Sequence, residues 1–211
     1  MREFPGGIYA ITAATADTER LLSQVEAALA GGAAAVQYRD KSGDVARRHE
    51  QASELVALCR RFGVPLIVND DLRLADLADA DGVHLGRDDG SLREARLILG
   101  RDKLIGASCY QSLELARAAQ AAGADYVAFG SFFASPTKPA APRASFDLLR
   151  EAAPVIRVPL VAIGGITLAN APQLLDAGAD SLAVLSALFD APDIRAAAHG
   201  LNQLFVTESE E

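Results

Sequence analysis

Tryptophan is missing from this 211-residue chain, methionine occurs once, cysteine twice and histidine three times. Cys59 and Cys109 are too far apart to act as a close metal-ligand pair. Two such thiols make no disulfide framework, so both are expected to be ordinary reduced thiols. His49 and His199 fall on helical patterns, which leaves His84 without a Cys/His cluster for zinc. No apolar run reaches the roughly 20 residues of a membrane span. The opening Met1–Gly7 carries acidic Glu3 and no basic stretch leading into an apolar signal core. The expectation is a cytoplasmic protein with no membrane partner. Positive charge is also scarce: 20 Lys and Arg against 28 Asp and Glu leave a formal charge of -8. That argues against a nucleic-acid surface, which needs clustered cations. A small phosphorylated ligand held by a few local donors is still compatible with it.

What the chain does have is apolar residues, half of the total, arranged in two alternating kinds of run. Short runs rich in Val, Ile, Leu and Ala predict strands at Ile8–Thr12, Ala34–Tyr38, Pro65–Val68, Gly82–Leu85, Leu104–Ala107, Tyr126–Phe129, Leu160–Ile163 and Ser181–Val184. Continuous apolar character suits parallel strands covered on the outside by helices. Between them, helical spacing predicts Asp17–Ala30, Asp44–Arg61, Ser91–Leu99 and Ser112–Ala122. A weak repeat, Ala122-Gly123-Ala124-Asp125 and Ala177-Gly178-Ala179-Asp180, precedes two of the strands and points to regular βα units. Eight such units favour a closed (β/α)8 TIM barrel over an open sheet. We expect one domain over 1–211, with its core at about 8–200. Ser135–Pro142 is too short to be a linker and reads as a long βα loop.

In such a barrel, chemistry belongs at the carboxyl ends of the strands, and that is where the polar residues gather. Gln37, Arg39 and Lys41 follow the second strand and Asn69-Asp70 the third. His84 to Asp89 cover the end of the fourth. Ser108 follows the fifth, Ser135–Lys138 the sixth, Gly164-Gly165 the seventh and Leu185-Ser186 the eighth. An amide and two cations beside carboxylates suit a diphosphate. Asp70 and Asp89 could share Mg2+, a cation that keeps water and phosphate oxygens in its shell. Asp71 competes with Asp70 for that role, and Asp88 with Asp89. Gly164-Gly165-Ile166, read as leading into a helix start at Thr167–Ala171, could join Leu185-Ser186 in holding a second phosphate.

The ordered set Gln37-Tyr38-Arg39-Asp40-Lys41, Asn69-Asp70, Gly82-Val83-His84-Leu85-Gly86 with Asp89, Ser108, Ser135-Pro136-Thr137-Lys138, Gly164-Gly165-Ile166 and Leu185-Ser186 resembles the thiamine-phosphate synthase family. The resemblance runs from about Ile8 to Phe189. It implies a Mg2+-dependent barrel enzyme that joins a pyrimidine diphosphate to a thiazole phosphate. It also implies that Gln37, Tyr38, Arg39, Asp40, Lys41, Asn69 and Ser108 hold the pyrimidine diphosphate, with Asp70 and Asp89 on the metal. Ser135, Pro136, Thr137, Gly165, Leu185 and Ser186 would hold the thiazole phosphate, and Lys138 would reach the diphosphate. Arg39, Lys41, Ser108 and Lys138 are the residues expected to carry catalysis. Arg87, Ser135 and Tyr110 depart from commoner family forms, where Gln, Thr and His are frequent. A thiazole tautomerase, a non-catalytic phosphate sensor and another phosphate-handling barrel isomerase are the rival readings. The sequence leaves a homo-oligomer open.

Overall fold

In a computed structural model, described here for residues 3–134 and 142–206, eight parallel strands close in sequence order into a barrel. The strands are β1 Gly7–Ile11, β2 Ala33–Tyr38, β3 Leu66–Asn69, β4 Gly82–Leu85, β5 Leu104–Tyr110, β6 Tyr126–Gly130, β7 Leu160–Ile163 and β8 Ser181–Val184. The helices are α1 Thr18–Ala30, α2 Val45–Phe62, α3 Leu72–Leu77, α4 Leu92–Leu99, α5 Leu113–Ala121, α6 Phe146–Ala152, α7 Ala171–Asp176, α8 Ser186–Phe189 and α9 Ile194–Asn202. β1 pairs with both β2 and β8, which closes the ring and leaves no edge. No helix among the described residues is long and apolar enough to cross a membrane.

Local chemistry explains where the helices begin. Asp17, Asp44, Asp71, Ser112 and Asp193 each accept a backbone N–H of the first turn with the side chain, satisfying donors that the helix cannot. The sequence repeat also has a physical basis. Asp125 accepts the N–H of Ile105 at 2.7 Å, and Asp180 that of Leu160 at 2.8 Å. Asp81 does the same to Leu66 at 2.9 Å. In each case the residue before an even-numbered strand pins the start of the strand before it. Gly123 and Gly178, at φ 93 and φ 103, take the left-handed backbone between helix end and Asp that a side chain would resist.

The core has two layers. Val36, Tyr38, Leu55, Cys59 and Val68 belong to the layer between strands and helices. Cys59 and Cys109 are free and buried, and burial pushes both thiols up to about 12, so both are inert at neutral pH. The inner layer comprises Phe4, Tyr9, Ile11, Ala35, Ile67, Leu104, Tyr126, Ala128, Val161 and Ala183. Phe4 precedes the first strand, yet its ring stacks on Tyr126 with centroids 3.9 Å apart and meets Tyr9 edge-on. Gly106 makes room for Tyr126: a methyl group there would come within 2.0 Å of the phenol ring.

Most strand and helix bounds move by one residue, and three expectations shift in ways that matter for the site. The helix after β7 starts at Ala171, not at Thr167, because Thr167–Asn170 form a turn in which Asn170 accepts the Thr167 N–H. β5 extends to Tyr110 through a register shift between Ser108 and Tyr110. This inserts Cys109 as an extra residue, and Tyr110 sits at φ 53. Pro65 lies just outside β3, where its carbonyl accepts from Val36.

Candidate active site

Asp70 directly follows β3 and Asp89 lies in the loop after β4, close enough for each carboxyl to shift the proton affinity of the other. Lys41, in the loop after β2, places Nζ 3.0 Å from Asp70 Oδ2. Asp70 adopts φ 64 while its N–H donates to the His84 carbonyl at 2.8 Å, so the chain turns sharply at the barrel mouth. Asp89 Oδ2 accepts the Gly86 N–H at 2.8 Å. A methyl group on Gly86 would lie 2.6 Å from that same oxygen, so glycine is what allows the loop to fold its carboxylate back.

Burial raises the Asp89 carboxyl, and the adjoining Asp70 carboxylate adds to the rise against the Gly86 N–H. Burial works against Asp70 as well, but the Lys41 ammonium overcomes it and holds that carboxyl below its ordinary value. Two neighbouring carboxylates that raise each other's cost of ionisation favour a cation between them. Among the described residues no set of three or more His, Cys, Asp or Glu gathers around a metal. A two-carboxylate site matches magnesium, which takes its remaining oxygens from water and phosphate.

The competing aspartates have other work. Asp71 caps α3 through the Leu74 N–H and pairs with Arg48 of α2 at 2.9 Å. Asp88 is exposed. Asp40, Lys41, Ser42, Arg48, Asn69, Asp70, Asp71 and Leu72 line a cavity of about 300 Å³ beside the carboxylates. A larger cavity of about 610 Å³ lies at the opposite end of the barrel, between Glu3–Gly6 and the start of β7. It is remote from these groups, and barrel chemistry sits on the carboxyl face.

Of the other sequence candidates, Gln37 and Ser108 project inward, joined through buried side chains. Gln37 Nε2 donates to Tyr9 Oη at 2.7 Å, which lies 2.8 Å from Tyr126 Oη. Tyr126 Oη lies 3.0 Å from His84 Nδ1, and His84 Nε2 lies 2.9 Å from Ser108 Oγ. Arg39 is half-buried at the rim and its N–H donates to Thr12 Oγ1. Two side chains of the same segment point elsewhere. Tyr38 faces the helices, where its hydroxyl donates to Gln51 of α2 at 2.8 Å. Asp40 accepts the Ser42 N–H and faces Arg47. Alternation along β2 explains this: Gln37 points inward, so Tyr38 points outward.

Gly164 and Gly165 pack tightly on the loop after β6, where a methyl on Gly165 would come within 2.3 Å of the Ala134 carbonyl. Leu185 and Ser186 stand at the start of α8. Ser135, Pro136, Thr137 and Lys138 lie outside the described residues. Arg87 and Tyr110, the two unusual residues at this rim, meet each other. The Arg87 guanidinium lies 5.2 Å from the Tyr110 ring centroid, and the Arg87 N–H donates to the Tyr110 hydroxyl at 3.2 Å. The charge added by one is therefore held over the ring added by the other.

Burial pushes the His84 ring down to about 4, against the pull of the Asp70 carboxylate. The unfolded chain, near pH 6.5, then takes up the proton first. The stability due to the neutral buried ring is complete above pH 6.5 and is lost as pH falls towards 4, by about 3 kcal/mol. Asp89, with its raised carboxyl, contributes in the opposite sense at the acidic end. Urea denaturation of the protein and of His84→Gln, at pH 7 and pH 4.5, isolates the histidine. The variant should lose less stability between the two pH values, and an equal loss would contradict the assignment.

Comparison with known proteins shows the family of the chain. Residues 8–188 match the family model described as thiamine monophosphate synthase. The thiamine-phosphate synthase of Thiobacillus denitrificans is 77% identical over 211 residues, covering 100% of both chains. That of Methylobacillus flagellatus is 56% identical, covering 94% of this chain and 95% of its own. The solved thiamine phosphate pyrophosphorylase of Pyrococcus furiosus superposes with a TM-score of 0.83 at 36% identity, covering 94% of each chain. With the family model and these relatives matching nearly its whole length, the chain belongs to the thiamine monophosphate synthase family.

Proposed function

We infer that the protein is a thiamine-phosphate synthase. It condenses 4-amino-2-methyl-5-pyrimidinylmethyl diphosphate with hydroxyethylthiazole phosphate, giving thiamine phosphate and diphosphate. Beyond family membership, the observation that carries this reading is the carboxylate pair beside Lys41 at the barrel mouth, placed to receive a polyanion together with its cation. Chain 1–211 acts as a single barrel domain in this reading, in the cytoplasm.

Asp70 and Asp89 would hold Mg2+, which when bound supplies positive charge to the diphosphate oxygens. Arg39, Lys41 and Lys138 contribute further charge where negative charge develops on the leaving group. The bond from the pyrimidine methylene to the diphosphate oxygen breaks, and its electron pair leaves on the diphosphate. The aminopyrimidine spreads the positive charge left on the methylene carbon. The thiazole nitrogen then donates its lone pair and forms the C–N bond, so no protein nucleophile or base is required. Gln37, Asn69 and Ser108 orient the pyrimidine. Ser135, Pro136, Thr137, Gly165, Leu185 and Ser186 hold the thiazole phosphate in line for attack, which lowers the entropic cost of the encounter. Tyr38 and Asp40 support this segment from behind, since their side chains face α2.

One assay tests the reading: both substrates with and without Mg2+, following thiamine phosphate and diphosphate together. The two products should appear in equal amounts and only with the metal. Failure to form either with Mg2+ would refute the synthase, and full activity under chelation would refute the metal role.

A further inference from the structure

The side chains of Gln37, Tyr9, Tyr126, His84 and Ser108 join five groups from five strands across the barrel interior. With the Gln37 amide oriented as it stands, Nε2 towards Tyr9, one direction of donation satisfies the remaining groups together. Tyr9 is 1% exposed and its oxygen accepts from the Gln37 amide. The Tyr9 proton therefore has the Tyr126 oxygen as its recipient at 2.8 Å. With that acceptance made, the single proton of Tyr126 goes to His84 Nδ1. A neutral His84 then carries its own proton on Nε2 and donates to Ser108 Oγ. In the opposite direction Tyr9 would accept from both Gln37 and Tyr126 and keep a buried O–H pointing at neither, an arrangement that buried polar groups avoid.

We propose that Gln37, Tyr9, Tyr126 and His84 form a one-way hydrogen-bond chain that presents the Ser108 hydroxyl proton to the barrel mouth, where it donates to an unprotonated ring nitrogen of the pyrimidine. Tyr9, Tyr126 and His84 thereby become positioning residues, acting on the substrate through Ser108. The Gln37 amide sets the polarity of the whole chain from the far side. The identity of the ring rests on the synthase reading, whereas the order of the protons does not.

Two measurements separate these layers. The first is long-range nitrogen–proton NMR on protein labelled with 15N-histidine, with the His84 signals identified by their loss in His84→Gln. His84 should be the neutral Nε2–H tautomer at pH 7. An Nδ1–H tautomer would overturn the chain, whatever the enzyme makes. The second is steady-state kinetics of Tyr126→Phe, which keeps the ring and removes one proton. KM for the pyrimidine diphosphate should rise about tenfold, as for one lost buried hydrogen bond, with KM for the thiazole phosphate within about twofold of the parent. In a Ser108→Ala background the same replacement should have almost no further effect, because the recipient is gone. An equal effect in both backgrounds, or equal rises in both KM values, would overturn the proposal. Tyr9→Phe interrupts the same order one step earlier and should behave alike, which keeps the test open should Tyr126→Phe fold poorly. A native enzyme that makes no thiamine phosphate would remove the synthase reading and leave the tautomer result to decide the chain.

Discussion

Replacing Asp70 by Asn should reduce turnover on the order of a hundredfold or more, the scale seen when one preorganised charge-stabilising group is removed, while leaving the barrel intact. Asn is the informative substitution here. Asp70 sits at φ 64, where Asn is tolerated and Ala would add about 1–2 kcal/mol of backbone strain. The replacement removes both the repulsion from Asp89 and a solvent-screened ion pair with Lys41, two small effects of opposite sign, so stability should change little. Initial rates across a range of Mg2+ concentrations, with circular dichroism and Tm as folding controls, measure the effect. Unchanged rates at every concentration would remove Asp70 from the metal site. A lost rate with a lost fold would instead assign it to the turn.

Replacing Gly106 by Ala should be strongly destabilising. The added methyl would meet the Tyr126 ring at 2.0 Å. That ring cannot retreat easily, because Phe4 stacks on it and its hydroxyl is held between Tyr9 and His84. Overpacking a close-packed interior costs about 1–3 kcal/mol and sometimes more, and this case lies at the upper end. For a chain of this size that corresponds to a fall in Tm of roughly 6–12 °C. Calorimetry reads it directly. A Tm within about 2 °C of the parent would mean that the floor of the barrel can repack and that Tyr126 is not tightly held.

The elements were legible because their signals were local. Asp17, Asp44 and Ser112 announce helix starts and then cap them, and β4, β7 and β8 occupy the predicted spans. The clustering of Lys41, Asp70 and Asp89 followed from strand order alone, since consecutive strands of a closed barrel deliver their carboxyl ends to one rim. The interior was not legible. Parallel strands buried on both faces read as unbroken apolar runs, so nothing in the spacing around Tyr9 or Tyr126 tells which side chain enters the barrel and which meets a helix. Tyr38 illustrates this: its neighbours are site residues, yet it packs outward. The pairing of Arg87 with Tyr110 was equally hidden, because it depends on the extra residue that turns the end of β5.

Phe4 belongs to no strand, yet its ring sits at the foot of the barrel against the phenol in the middle of the buried hydrogen-bonded chain. Phe4 thus closes the barrel from below, one packing step from the Tyr126 hydroxyl. On the proposed proton order, a change at Phe4 would reach Ser108 by way of Tyr126 and His84.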